Sequence, residues 1–131
     1  MSPSETIREL YRAMRESDDA AVHALCAEDI VWQQSVGFPG GSTWHGPAAV
    51  IENVFRANTK RWTGFAFTEE EMMETSDRVI VLGHYSGTSP ATGKAMRAAV
   101  AHVYDLQAGK VTRFRMFADT HPMWQAMTED S

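Results

Sequence analysis

Val111 to Thr120 read VTRFRMFADT. The stretch follows an Ala108-Gly109 turn and precedes a Pro-containing amphipathic tail. It reads as a last strand that ends on a carboxylate, Asp119. Where such a strand opens onto a pocket, its terminal carboxylate is well placed to be a general base. Working back from it, the chain keeps a period of two. Lys110 to Ala118 is reached through a two-residue hairpin from Met96 to Leu106, which follows Arg78 to Thr88 and, before that, Phe65 to Thr75. The Glu69-Glu70-Glu71 run in the first of these strands marks an edge that discourages aggregation.

Upstream of Phe65 the period changes. Ser2-Pro3-Ser4-Glu5 is a capping-box pattern with Pro at the first helical position. Ile7, Leu10, Tyr11 and Met14 then share one helical face. Ser17 to Asp19 break that helix and cap a second, whose buried stripe is Val22, Leu25 and Cys26. Ile30 to Gln34 is a short strand, and Val36 to Gly46 is a long glycine-rich loop. Pro47 opens a third helix with Val50, Ile51, Val54 and Phe55 inward, and Pro122, Met123, Trp124 and Met127 form a terminal one, with Asp119 or Thr120 as its cap. Helices first and a strand meander after them give an α+β layout, with helices on one face of a mostly antiparallel sheet. A strongly twisted sheet of this kind wraps its helices as a cone, and the mouth of a cone is a natural pocket.

The chain has 131 residues, a length that fits a single domain with a core needing neither disulfides nor metal. Its one cysteine, Cys26, lies on an apolar helix face and reads as an inert buried thiol. A formal charge of −5 argues against a nucleic-acid partner. No apolar run reaches membrane-spanning length and the N-terminus lacks a signal-peptide core, so a cytoplasmic protein is expected. The histidines at 23, 45, 84, 102 and 121 show no i, i+4 pair, and no glycine pattern opens a helix after a strand. Neither a metal nor a nucleotide cofactor is expected.

Several stretches together resemble one family. They are Tyr11-Arg12-Ala13-Met14, Ala24 through Trp32, Trp44-His45-Gly46-Pro47-Ala48-Ala49-Val50, Asp77 through Gly83, Ala101-His102-Val103-Tyr104, and Gly109-Lys110-Val111 through Asp119-Thr120. The chain is similar to the SnoaL-like and ketosteroid-isomerase-like branch of the nuclear-transport-factor-2-like superfamily. The resemblance implies the cone fold, a small apolar ligand in the cone and a homodimer through the open sheet face. It also shows departures. Tyr11 stands where the isomerases keep a Tyr, but Gln34 occupies the position of their base and Ala101 that of their second acid. An amide takes no proton at neutral pH and a methyl donates no hydrogen bond, so steroid isomerisation by that constellation is not expected. Ala99 and Ala101 stand near the strand members of the Asp-Arg-Asp set that epoxide hydrolases of this fold need. Asp119 matches the position of the acid/base Asp of SnoaL-like cyclases.

The candidate catalytic residues are therefore Asp119 and His84. Asp119 is a base at the pocket or the N-cap of the last helix. If Ala101 faces in, so do Phe114, Met116 and Ala118, and Asp119 faces out unless a bulge intervenes. His84 faces the pocket if Ile80 and Leu82 do, and there serves as acid, base or donor. His102 alternates with Ala101, which places it on the other face, at the dimer contact, with a pocket role as the alternative. Candidate substrate-binding residues are Tyr11, Trp32, Gln34, His45, His102 and Arg115, the last either a counter-ion for Asp119 or an exposed strand residue. The leading expectation is cofactor-free acid/base chemistry on an apolar carbonyl or polycyclic compound, as an isomerase, cyclase or lyase. The other is a non-catalytic ligand-binding or dimerisation module.

Overall fold

The computed structural model describes residues 1–129. Helix α1 (Pro3–Arg15) begins on its capping box, with Glu5 N–H donating to Ser2 Oγ at 3.1 Å and Ser2 N–H to Glu5 Oε1 at 3.0 Å. Its buried stripe holds Ile7, Leu10 and Tyr11. Asp18 caps α2 (Asp19–Leu25) through the Ala21 N–H. Strand β1 (Cys26–Gln33) follows at once, starting before the expected Ile30. Cys26 thus ends α2 instead of sitting in its stripe, and burial pushes its thiol up to about 12. The short β2 (Thr43–His45) folds the glycine-rich loop back on β1. The third helix is composite: α3 (Pro47–Val50), a π-helical turn over Ile51–Arg56, and α4 (Ala57–Arg61). Then come β3 (Thr63–Glu74), β4 (Arg78–Thr88), β5 (Ala95–Gln107), β6 (Lys110–Ala118) and α5 (His121–Met127).

The strands form one six-stranded sheet in the order β2-β1-β6-β5-β4-β3. Among the described residues only the β1–β6 pairing is parallel. The sheet is curled and unclosed, with the N-terminal helices packed in its concave face, and the Glu69–Glu71 run lies on the edge strand β3. Among the described residues no helix is long and apolar enough to cross a membrane.

Register decides which side chains enter the cone. Ala108 and Gly109 both have positive φ, 52° and 78°, the signature of a tight hairpin turn, and Gln107 pairs with Lys110 as the sequence predicts. The ladder then slips. Leu106 pairs with Val111 but Asp105 with Arg113, which leaves Thr112 as an extra residue, a β-bulge. The Leu106 N–H turns to the Asp77 carbonyl at 2.9 Å, and Thr112 Oγ1 donates to the Asp105 carbonyl at 3.2 Å. Beyond the bulge His102 pairs with Met116 and Tyr104 with Phe114, and all four are buried on the concave side. Ala101 and Val103 go to the convex side with Phe117 and Arg115.

This corrects the expected register. Phe114 and Met116 face in, but they meet His102, not Ala101. On β4 the buried set is Val79, Val81 and Tyr85, and the expected inward set of Ile80, Leu82 and His84 lies on the convex face. Both alternating sets of β4 are apolar, so amphipathicity cannot choose between them. The pairing of Val81 with His102 does.

Candidate functional site

The cone encloses a cavity of about 450 Å³. Trp32, Phe55, Phe65, Phe67 and Phe114 supply most of its wall, with Met14 and Met116 filling between the rings. The exposed residues Arg15, Ser17, Thr59 and Glu69 also line it and mark its mouth. Glu69 is held there by Arg8 at 3.4 Å.

His102 sits at the polar centre, 2 % exposed. Its Nδ1 lies 2.7 Å from Tyr11 Oη and its Nε2 2.7 Å from Tyr85 Oη. Burial pushes the imidazole down to about 3, and burial also drives the Tyr11 and Tyr85 phenols well above their ordinary range. All three groups are therefore uncharged at neutral pH. A neutral imidazole has one donor and one acceptor nitrogen. One phenol must donate to it and the other must accept from it, and the accepting phenol keeps its own O–H for a third partner. The two tautomers exchange those roles between Tyr11 and Tyr85. Tyr104 Oη is buried beside Tyr11, with which it interacts electrostatically, but it makes no hydrogen bond of ordinary geometry.

The rings around His102 are positioned by backbone features. Phe67 stacks on it at a centroid distance of 4.3 Å, and Phe114 lies 5.0 Å away. Gly83 makes the stacking possible. A Cβ there would come within 2.1 Å of the Thr68 carbonyl oxygen and 2.8 Å of the Phe67 ring. Just past β1, Gln34 is buried against the cavity, and its Oε1 accepts from Trp44 Nε1 at 3.3 Å.

Tyr11, Trp32, Gln34 and His102 are thus brought together around one space. His102 enters it instead of the convex face because it continues the buried alternation of Val100, Tyr104 and Leu106 on β5, and the bulge at Thr112 brings Phe114 and Met116 to the same side. The remaining expected site residues lie elsewhere. Asp119 is exposed and outside the cavity. Its N–H continues the ladder to the Ala99 carbonyl at 2.9 Å, and α5 takes Thr120 as N-cap with no side-chain bond, so Asp119 is neither a pocket base nor a cap. His84 lies on the convex face with Nδ1 2.6 Å from Glu70 Oε1. Arg115 is on that face too, 4.0 Å from the Asp105 carboxylate that Arg78 holds at 2.8 Å, and is no counter-ion for Asp119. His45 is exposed on β2, outside the cavity. Sequence reading missed Tyr85, Tyr104, Phe67 and Asn58. Tyr85 had a signal, the alternation Val79, Val81, Gly83, Tyr85, masked by the equally apolar Ile80 and Leu82. Among the described residues no three His, Cys, Asp or Glu side chains converge as a metal site.

A curled sheet around an aromatic cavity with a buried polar centre defines a cone-shaped α+β domain of the nuclear-transport-factor-2-like kind. The chain belongs to the SnoaL-like domain family, whose sequence profile matches residues 7–114. Among solved structures it is similar to an NTF2-like protein from Burkholderia thailandensis E264, with 36 % identity over 98 % of both chains and a TM-score of 0.91. It is also similar to an NTF2-like protein from Burkholderia pseudomallei K96243, with 27 % identity over 95 % of this chain and 96 % of that one and a TM-score of 0.84. A third similar protein is TerC, co-crystallised with polyporic acid, with 25 % identity over 94 % of this chain and 95 % of that one and a TM-score of 0.82. No curated protein matches the chain.

Proposed function

We propose that this protein is a cytoplasmic, cofactor-free enzyme that moves a proton on a flat, largely apolar carbonyl compound held in the cone. The observation that carries the reading is the uncharged Tyr11–His102–Tyr85 chain, both of whose phenols line the cavity. A ketone bound there undergoes enolisation in one relay. The phenol that donates to the imidazole takes the α-C–H proton on its oxygen as it passes its own proton to the ring. The ring passes its other proton to the second phenol, and that phenol gives its proton to the carbonyl oxygen. The ketone becomes the enol, the imidazole has changed tautomer, and no group has become charged. Positioned acid–base help of this kind contributes about 10²–10⁴-fold. Asp119 and His84, outside the cavity, take no part.

The test uses 2-tetralone in D₂O, with α-proton exchange followed by NMR. The wild type is expected to speed exchange. Tyr11→Phe and Tyr85→Phe lose that acceleration, and Asp119→Asn keeps it. Binding of 2-tetralone or polyporic acid without exchange sinks the enzyme reading and leaves a ligand-binding module. That second reading has its own support: the ring of His102, at about 3, is a weak base, and among the described residues the only carboxylate lining the cavity is Glu69 at its mouth. If neither compound binds, both readings fail.

We further propose a homodimer through the convex face. Its support is the apolar strip of Ile80, Leu82, Val103 and Phe117, the last 54 % exposed. Sedimentation of Phe117→Glu is expected to show a monomer, and a wild type that is itself monomeric rejects the dimer.

A further inference from the structure

The polar lining of the cavity is larger than the relay needs. Gln34 and Asn58 are each 6 % exposed and both line the cavity. They come from the residue after β1 and from α4, whereas the relay comes from α1, β4 and β5. Trp44 Nε1–H can only donate, so the Gln34 amide must turn its oxygen toward it, and the Gln34 NH₂ faces elsewhere as a donor. Among the described residues that NH₂ has no protein partner, and neither has the Asn58 carboxamide. Asn58 follows the π-helical turn, a feature that recurs at functional sites. Its neighbour Asn53 shows what a helical Asn does when nothing else claims it. Asn53 Nδ2 donates back to the Ala49 carbonyl at 3.0 Å, and Asn58 makes no such bond.

We infer that Gln34 and Asn58 form a second polar subsite, which selects ligands carrying a hydrogen-bond-accepting oxygen remote from the one held by the relay. This rests on the cavity being a small-molecule site, as proposed above, and adds the substrate class: flat apolar compounds with two separated carbonyl-type oxygens. A compound with one oxygen leaves buried amides unpaired, and sites built to hydrogen-bond a substrate reject analogues that lack the partner. The Gln34 amide, its oxygen taken by Trp44, has only its NH₂ left to offer, so the ligand group that meets it is an acceptor and not a hydroxyl used only as a donor.

The test compares 2-acetylnaphthalene with 2,6-diacetylnaphthalene by isothermal titration calorimetry on the full chain. The diketone is expected to bind about tenfold more tightly, the effect of one well-made hydrogen bond in a desolvated site. Asn58→Leu and Gln34→Leu are expected to remove that advantage and leave the affinity for the monoketone within about twofold. Thermal unfolding checks that both variants fold, and Gln34→Glu, which replaces the donor by an acceptor, is expected to reject the diketone. Equal affinities of the wild type for the two ketones overturn the inference without any variant. So does an advantage that survives both substitutions. Monoketone binding without the advantage overturns the subsite alone, whereas no binding of either ketone overturns the subsite and the small-molecule reading together.

Discussion

His102 and His84 stand on neighbouring strands of one sheet and live in opposite chemistries. His102, on the concave side, is walled by aromatic rings, bonded at both nitrogens by phenols, and uncharged. His84, on the convex side, meets the Glu70 carboxylate, with Arg97 3.8 Å from the same oxygen. The concave face works through aromatic walls and a buried centre whose phenols and imidazole pair with one another uncharged. The convex face works with charge pairs open to solvent, where water screens each gain. Residue type does not distinguish the two histidines. Register does: across the unbroken β4–β5 ladder Val81 faces His102, and His84 falls on the other face.

The contrast is sharpest on one strand. Phe114 and Phe117 lie on opposite faces of β6, 2 % and 54 % exposed. Phe114→Ala removes a buried ring and is expected to cost about 3–5 kcal/mol in chemical denaturation. Phe117→Ala is expected to stay within about 0.5 kcal/mol in dilute protein. A Phe117→Ala loss that grows with protein concentration would show a second copy covering the convex face. Comparable losses in dilute protein would break the assignment of faces.

Gly83→Ala comes next. The added Cβ meets the Thr68 carbonyl and the Phe67 ring at distances real contacts do not reach. Backbone must move, and the stacking of Phe67 on His102 moves with it. Overpacking of this kind costs about 1–3 kcal/mol, read from the midpoint in urea. Unchanged stability would mean that β3 yields freely there and that Phe67 is not held in place.

The fold was legible because its signals are local and redundant. The capping box at Ser2, the stripe of Ile7, Leu10 and Tyr11, the Ala108-Gly109 turn and the period-two strands each point to the same architecture. The resemblance to the SnoaL-like family added the cone. The site was only partly legible. Tyr11, Trp32 and Gln34 were placed in the cavity because each sits where a helix stripe or strand end names one face. His102 and Tyr85 were lost to register. A bulge stabilised by the Asp77 carbonyl and the Thr112 hydroxyl depends on contacts with no periodic signature. On β4, Val79 and Val81 compete with Ile80 and Leu82 on equal terms. Asn58 continues the inward stripe, three residues after Phe55 and four after Val54, but a pattern read from apolar residues passes over an amide.

Burial of His102 also ties stability to pH. In the unfolded chain His102 binds a proton near its ordinary pKa of about 6.5, whereas in the folded protein burial holds it down to about 3. Between those values the unfolded state carries the extra proton, so stability rises with pH across that window and this contribution is flat above it. Each unit of pH lost below about 6.5 is expected to cut the folded-to-unfolded ratio about tenfold from this group alone. His102→Gln removes that share of the slope. Unfolding curves at pH 7, 6 and 5 check it. A slope that survives His102→Gln would mean that the imidazole is charged in the cavity and that the relay is not neutral.

The smallest effect falls on the convex pair. Glu70 is more than half exposed, and its attraction for His84 and Arg97 is shared with water and ions. Glu70→Gln is expected to change stability by about 0–1 kcal/mol, and added salt should shrink even that. The concave relay offers salt nothing to screen, because no member carries a charge. Exchange of 2-tetralone protons and the midpoint of Tyr85→Phe should therefore be as insensitive to salt as those of the wild type. If salt weakens the relay as it weakens the Glu70 pair, an ion is present in the cone, and the division of the sheet into a neutral face and a charged face fails at its central residue.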